Sequence, residues 1–158
     1  ADISPTECLA EVIQLFKPRL VNSNIIINNN TTKCKWHVMA DAGHLKQVFM
    51  NLILNAVEVM PNGGELTIDA GVVREADINN PEEERDFIKI DFSDSGPGIP
   101  EAIMKTLFEP FIKGTDQGVG IGLSISQSIA GSHGGWIAAG NKSDGSGAVF
   151  TFYLPLIN

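Results

Sequence analysis

The sequence is poor in basic residues, with 11 Lys and Arg against 19 Asp and Glu and a formal net charge of −8. A surface that binds DNA or RNA needs clustered Lys and Arg to meet phosphates, so this balance argues against nucleic acid as a partner. It leaves open one small anion held by backbone amides. The chain has no apolar run long enough to span a bilayer and no basic-then-apolar leader. We therefore expect this chain to be soluble and cytoplasmic, with any membrane anchor of the full-length protein lying outside it.

Cysteine is also scarce, and familiar ligand motifs are missing. The two cysteines, Cys8 and Cys34, have no C-x-x-C spacing, which excludes a disulfide scaffold and favours reduced thiols. No cluster of His, Cys and acidic residues suggests zinc or iron. No G-K-[S/T] is present, which excludes a P-loop.

The 158 residues fit one domain, 1–158, with a core of its own. Apolar periodicity predicts three helices and six strands, with 74–86 as a charged loop and 96–120 without a firm period. The helices lie near 4–22, 41–60 and 121–133, and the strands near 24–29, 35–40, 65–73, 87–94, 136–140 and 147–155. This order predicts an α+β fold: a two-layer α/β sandwich with about three helices on one face of a mixed β-sheet.

The second predicted helix carries a narrow polar stripe that includes Asn51 and Asn55. A solvated helix face is the simpler interpretation, but such faces usually carry Lys and Glu, whereas mid-helix Asn lowers helix stability. An amide oxygen is a suitable ligand for Mg²⁺, and the amide NH₂ can donate to a phosphate. The stripe alone leaves both interpretations open.

Two glycine-rich stretches follow. In "DSGPGIP", Asp94 ends a predicted strand and is followed by Gly96 and Gly98, which is compatible with a surface turn or with a pocket that needs a carboxylate beside bare backbone. "GVGIGLSIS" opens directly into a helix, and amides there suit an anion. Its spacing, and the absence of a strand before it, exclude the G-x-G-x-x-G dinucleotide fingerprint. A hinge without a ligand remains the alternative.

Just before the second stretch, "LFEPF" places Phe108 and Phe111 in a glycine-rich context. Aromatic side chains there are suited to anchoring a mobile segment on the core, and ordinary local packing is the alternative.

Together and in this order, "HLKQVFMNLILNAVEVM", "DSGPGIP", "LFEPF", "GVGIGLSIS", "HGG" and "GAVFTFYLP" resemble the ATP-binding catalytic domain of sensor histidine kinases. That domain belongs to the superfamily of DNA gyrase, the Hsp90 chaperones and the mismatch-repair ATPase MutL. The resemblance covers about residues 3–157 and is strongest to the oxygen-sensing and nitrogen-regulation branch. It implies Mg-ATP as ligand, a mobile ATP lid and transfer of the γ-phosphate to a histidine.

The resemblance also implies roles for individual residues. Asn55 would ligate Mg²⁺, Asn51 would face the phosphates or the water shell of the metal, and Asp94 would accept a hydrogen bond from the adenine amine. Gly96 and Gly98 would let the backbone approach the base, and Phe108 and Phe111 would position the lid. The lid would owe its reach to Gly118, Gly120 and Gly122, and amides there and at Leu123 would meet the phosphates. Lys113 is a doubtful phosphate ligand, because it stands two places before the position expected from the related branch.

The same pattern favours transfer over hydrolysis. Gyrase-like and MutL-like ATPases carry a Glu that activates water where this chain has Asn51, and an amide cannot act as a general base. None of the three histidines stands in the family's phosphoacceptor motif, so the acceptor and dimerisation helices are expected to precede Ala1 and the isolated domain to be a monomer. A response regulator is the implied downstream partner. The alternatives are a non-catalytic ATP-binding module of a degenerate kinase and an anti-sigma type Ser/Thr kinase.

Overall fold

The structure is a computed structural model that describes residues 1–109 and 119–157. Four helices lie in these ranges: α1 (Pro5–Asn22), α2 (Ala42–Val59), α3 (Glu101–Met104) and α4 (Val119–Ser132). Seven strands accompany them: β1 (Asp2–Ile3), β2 (Ile25–Asn29), β3 (Val38–Met39), β4 (Gly64–Asp77), β5 (Asn80–Asp94), β6 (Trp136–Asn141) and β7 (Ala148–Pro155). The predicted elements are present, and β1 and α3 are added to them.

The two long helices begin at capping residues that stop the N-terminal amides from being left without partners. The Glu7 N–H donates to Ser4 Oγ at 3.3 Å, and Pro5 occupies the first turn of α1. At α2, the His44 N–H donates to Asp41 Oδ1 at 2.9 Å. This bond is the main reason why the pKa of the Asp41 carboxyl lies below its ordinary value.

Five strands form one mixed sheet in the order β2-β4-β5-β7-β6. Strands β2 and β4 are parallel, and the other neighbours are antiparallel. The last strand of the chain, β7, therefore lies between β5 and β6. Strands β1 and β3 form a separate two-stranded pair, so the strand predicted at 35–40 is short and lies outside the main sheet.

Helices α1, α2 and α4 cover one face of the sheet, as the α+β sandwich prediction required. The apolar stripe of α2 is buried, and its Phe49 packs against Phe92 of β5 and Phe152 of β7 at ring-centroid distances of 6.1 and 5.9 Å. Alternate residues of β5, such as Ile88 and Ile90, point to the same layer and are fully buried. The core thus lies between the helices and the centre of the sheet.

The prediction of a charged loop at 74–86 is wrong. β4 and β5 continue through it as a two-stranded ribbon that turns after Asp77, and Arg74 pairs with Asp86 across the ribbon at 3.0 Å. β7 ends opposite Phe87, so no other strand among residues 1–109 and 119–157 pairs with the outer part of β5. Because both of its faces carry polar side chains, the apolar alternation that reveals a strand is missing there.

Candidate functional site

A small cavity opens where the second half of α2, the end of β5 and the beginning of β7 meet. Its volume is about 110 Å³. Apart from Asn55 and Asp94, the wall consists of apolar side chains and glycine: Val59, Gly98, Ile99, Pro100, Ile103, Leu107, Ala148 and Phe150. Pockets that enclose a drug-sized ligand have roughly 300–1,000 Å³, so this cavity has room for only part of such a molecule.

The carboxylate at the cavity, Asp94, is held by backbone amides and is 2% exposed. Its Oδ1 accepts the Gly96 N–H at 2.9 Å and the Ala148 N–H at 3.2 Å. Hydrogen bonds to an ionised acceptor are stronger than neutral ones and fix its orientation. Both bonds end on the same oxygen, Oδ1, and Asp94 is one of the two polar residues that line the cavity.

Glycine is required at one point around this carboxylate and favoured at a second. A Cβ on Gly147 would lie 2.0 Å from the backbone oxygen of Asp94, and the φ of Gly147 is +142°. A Cβ on Gly96 would lie 3.0 Å from the Val59 backbone oxygen at the end of α2. The bare backbone thus lets β5, β7 and α2 approach one another closely enough to form the cavity.

The two Asn of the polar stripe occupy different environments. Asn55 is 7% exposed and lines the cavity. Asn51 lies one turn earlier, and its Nδ2 donates to Gly122 O at 3.1 Å and to Ser126 Oγ at 3.0 Å. An amide nitrogen has two protons, so these bonds occupy its donors and tie α2 to the first turns of α4.

The remaining predicted residues divide into three groups. Gly98 lines the cavity with a φ of +84°, and Phe108 is partly buried and packs against the core. On α4, Gly120 and Gly122 lie in the first turns and Leu123 is buried in the core. The positions Phe111, Lys113 and Gly118 lie outside the described residues.

Sequence reasoning missed Asn141, the last residue of β6. Its Oδ1 accepts the Ile99 N–H at 2.7 Å, and its Nδ2 donates to Ile99 O at 2.9 Å. Asn141 is 42 residues from Ile99 in sequence, and no local pattern links the two. By contrast His44, on the same helix as Asn55, stands edge-on to His133 at a centroid distance of 5.8 Å and roughly 16 Å along the helix from Asn55.

Comparison with known proteins identifies the family. A model described as "Histidine kinase-, DNA gyrase B-, and HSP90-like ATPase" matches residues 40–158. The chain belongs to this family. The nucleotide-free catalytic domain of histidine kinase ThkA has the same fold, with a TM-score of 0.79 and 31% identity over 98% of this chain and 96% of that one. The histidine kinase-like fold predicted from the sequence is therefore confirmed.

The curated relatives of this ATPase-family chain are sensor kinases. Sensor kinase CckA of Brucella abortus is 33% identical over 95% of this chain and 16% of its own length. Sensory histidine kinase/phosphatase NtrB of Vibrio alginolyticus is 31% identical over 96% of this chain and 42% of its length. The chain thus spans less than half of these relatives. Sporulation kinase C of Bacillus subtilis matches at 33%, so the branch assignment stays a prediction.

A further structure pairs a histidine kinase with a second protein. ThkA in complex with the response regulator protein TrrA matches with a TM-score of 0.77 and 26% identity, over 99% of this chain and 42% of that one. In the part of this chain that the structure describes, no helix is both long and apolar enough to cross a membrane.

Proposed function

We propose that this chain is the catalytic domain of a sensor histidine kinase, which binds Mg-ATP and transfers the γ-phosphate to a histidine on a separate phosphoacceptor domain. The observation that carries the proposal is the buried Asp94 carboxylate, held by two backbone amides at a cavity whose other lining residues, apart from Asn55, are apolar or glycine. It stands within a histidine kinase-like ATPase fold.

The cavity wall favours adenine as the bound base. An ionised carboxylate can only accept hydrogen bonds, so the ligand atom opposite Asp94 must carry a proton. The exocyclic amine of adenine meets this condition, whereas the oxygen of guanine at the same ring position would face a second acceptor. The apolar side chains Ile99, Ile103 and Phe150 offer the faces against which a flat ring packs. Asp94 would therefore select ATP over GTP.

The donor set near the cavity fits Mg²⁺ held mainly by the nucleotide. Among the described residues no three His, Cys, Asp or Glu side chains cluster as a metal site, and Asn55 supplies a neutral amide oxygen. Mg²⁺ usually keeps several waters and binds through one or two protein oxygens and the phosphates of its substrate. Asn55 would hold the ion, which when bound supplies positive charge against the charge of the transferred phosphoryl group.

Transfer is favoured over hydrolysis because Asn51 is an amide that bonds to α4. It has no basic site, and its NH₂ is engaged by Gly122 O and Ser126 Oγ. The domain would contribute the position of ATP, while the attacking nitrogen comes from the acceptor histidine. The glycines Gly118, Gly120 and Gly122, with the Leu123 amide, would meet the phosphates. Phe108 and Phe111 would position the lid, and Lys113 stays a doubtful phosphate ligand.

The partners follow from the same proposal. The ThkA complex supports a response regulator as the downstream acceptor, and the phosphoacceptor helices would belong to the same full-length kinase. We expect the isolated domain to be monomeric, to work in the cytoplasm and to leave nucleic acid unbound, given its charge of −8.

The direct test is to mix the domain with the phosphoacceptor helices of its own kinase and γ-labelled ATP. We expect label on a histidine, seen as an acid-labile phosphoprotein. Asn55→Ala should abolish transfer, while Asn22→Ala, an exposed helix Asn away from the cavity, should leave it unchanged. ATP binding without transfer would indicate a degenerate module, and an acid-stable label would indicate a Ser/Thr kinase.

A further inference from the structure

The loop that follows β5 is fixed at two points by side-chain oxygens. At its start, Asp94 Oδ1 accepts the Gly96 N–H. At its end, the Asn141 amide bonds to both the N–H and the C=O of Ile99, at 2.7 and 2.9 Å. Between these points Gly98 adopts a φ of +84°, and a Cβ there would lie 3.0 Å from Asn141 Oδ1. The amide of Asn141 thus fixes the backbone path of the loop at Gly98 and Ile99.

Both contacts that fix the loop depend on the same pair of strand ends, the end of β6 and the beginning of β7. Asn141 ends β6 directly opposite Ala148 of β7, and Ala148 is the residue whose N–H holds the Asp94 carboxylate. The carboxylate and the loop wall are therefore both placed relative to the same pair of strand ends. The loop residues Gly98 and Ile99 form one wall of the cavity, while Asn141 does not itself line the part of the cavity formed by the described residues.

We propose that Asn141 is a positioning residue for the nucleotide base: it acts through Ile99 to hold the cavity wall at the distance at which a ring fits between that wall and Asp94. This inference rests on the proposed function, since it concerns how tightly the adenine is bound. It assigns Asn141 no contact with the nucleotide. Its effect should therefore fall on the base and be the same for ATP and ADP.

The chain contains a matched control. Gln127 of α4 makes the same two-way amide pair with the backbone of Ile137, at 2.8 and 2.7 Å, at the other half of β6. Gln127→Ala removes the same number and type of hydrogen bonds but leaves the loop of Gly98 and Ile99 untouched. It reports what such a loss does to the fold alone.

The experiment measures Kd for ATP and ADP by calorimetry on Asn141→Ala, Asn141→Asp, Gln127→Ala and the unmodified chain, well below each melting temperature. We expect Asn141→Ala to raise both Kd values by the same factor, about threefold to tenfold, which is the range for one ordinary hydrogen bond. Asn141→Asp keeps the shape and the acceptor but faces Ile99 O with a second acceptor, so its Kd values should rise too. Gln127→Ala should lower the melting temperature and leave Kd unchanged.

Three results would overturn the inference: unchanged Kd values in folded Asn141→Ala or Asn141→Asp, a rise for ATP without a rise for ADP, or an equal rise in Gln127→Ala. If Asn141→Ala does not fold, the isosteric Asn141→Asp decides alone. A failure of the unmodified chain to bind either nucleotide would instead refute the proposed function, so the two ideas fail on different measurements.

Discussion

Replacing Asp94 with Asn separates the structural role of this side chain from its proposed role in binding. Oδ1 accepts two N–H groups, from Gly96 and Ala148. In the variant the amide oxygen can take the place of Oδ1 and keep both bonds, while the amide nitrogen takes the place of Oδ2. The fold should therefore survive, but the cavity would present a donor where the adenine amine requires an acceptor.

The size of the effect follows from the kind of bond lost. A hydrogen bond to a charged group contributes about 1.5–3 kcal/mol, so Asp94→Asn should weaken ATP binding by roughly 10- to 150-fold. The preference for ATP over GTP should fall with it. Asp94→Ala is the contrasting variant, because it leaves the N–H groups of Gly96 and Ala148 without their acceptor. That loss should lower the free energy of unfolding by about 1–3 kcal/mol, in addition to the loss of binding.

Calorimetry with ATP and GTP measures the loss of nucleotide affinity in both variants. Urea unfolding of the same variants measures the loss of folding free energy separately. We expect Asp94→Asn to bind ATP weakly while its urea unfolding midpoint stays nearly unchanged. We expect Asp94→Ala to lose both ATP affinity and stability against urea. Binding of ATP by Asp94→Asn at the affinity of the unmodified chain would refute the assignment of Asp94 to the base. An equal loss of stability in both variants would show that the amide does not keep the Oδ1 contacts.

Further predictions concern the backbone around the site and the helix ends. Gly147→Ala should lower the free energy of unfolding by about 2–4 kcal/mol, because its Cβ would collide with the Asp94 carbonyl at a positive φ. Gly145→Ala is the control, since its φ is also positive but the space around its Cβ is open, and it should lower the free energy of unfolding by only about 1–2 kcal/mol. Urea unfolding measures both values. Asn51→Ala should lower the free energy of unfolding by about 1–3 kcal/mol, because it removes two hydrogen bonds to α4. An unchanged melting temperature would contradict this. The pKa of Asp41 is lowered in the folded state, so its carboxylate stabilises the fold above its ordinary pKa of 3.8 and loses that contribution as the pH falls through the folded value. Asp41→Asn keeps a capping oxygen without titrating, so the difference in urea midpoint between the two chains should shift over that acidic range and be constant near neutral pH.

The parts of the fold that sequence predicts well are those with a local cause. The cap at Ser4 and the apolar period of α1 and α2 define both helices within a few residues. Asp94 and Asn55 each belong to a short motif that marks them as candidates, and the structure brings both to one cavity.

What the sequence does not reveal depends on contacts between distant residues or on surfaces without an apolar face. The pair formed by Asn141 and Ile99 exists only because β7 pairs with both β5 and β6, which brings the end of β6 close to the loop that follows β5. The ribbon around Arg74 and Asp86 is exposed on both sides. Charged side chains therefore occupy positions at which a half-buried strand would alternate apolar and polar residues. For Asn51, which the resemblance predicts to face the phosphates or the water shell of the metal, no local pattern indicates that its NH₂ would bond to α4.

The position of β7 has a consequence for how the domain is made. This strand follows both β5 and β6 in sequence, yet it lies between them and supplies Ala148 and Phe150 to the cavity. During synthesis the N-terminal parts emerge first, so the facing edges of β5 and β6 stay unpaired until the final strand arrives. Open edges of this kind can pair with other chains, and closing them needs slow, non-local contacts. A nascent or C-terminally truncated chain should therefore need chaperone protection, and nucleotide binding should begin only once the final strand has inserted.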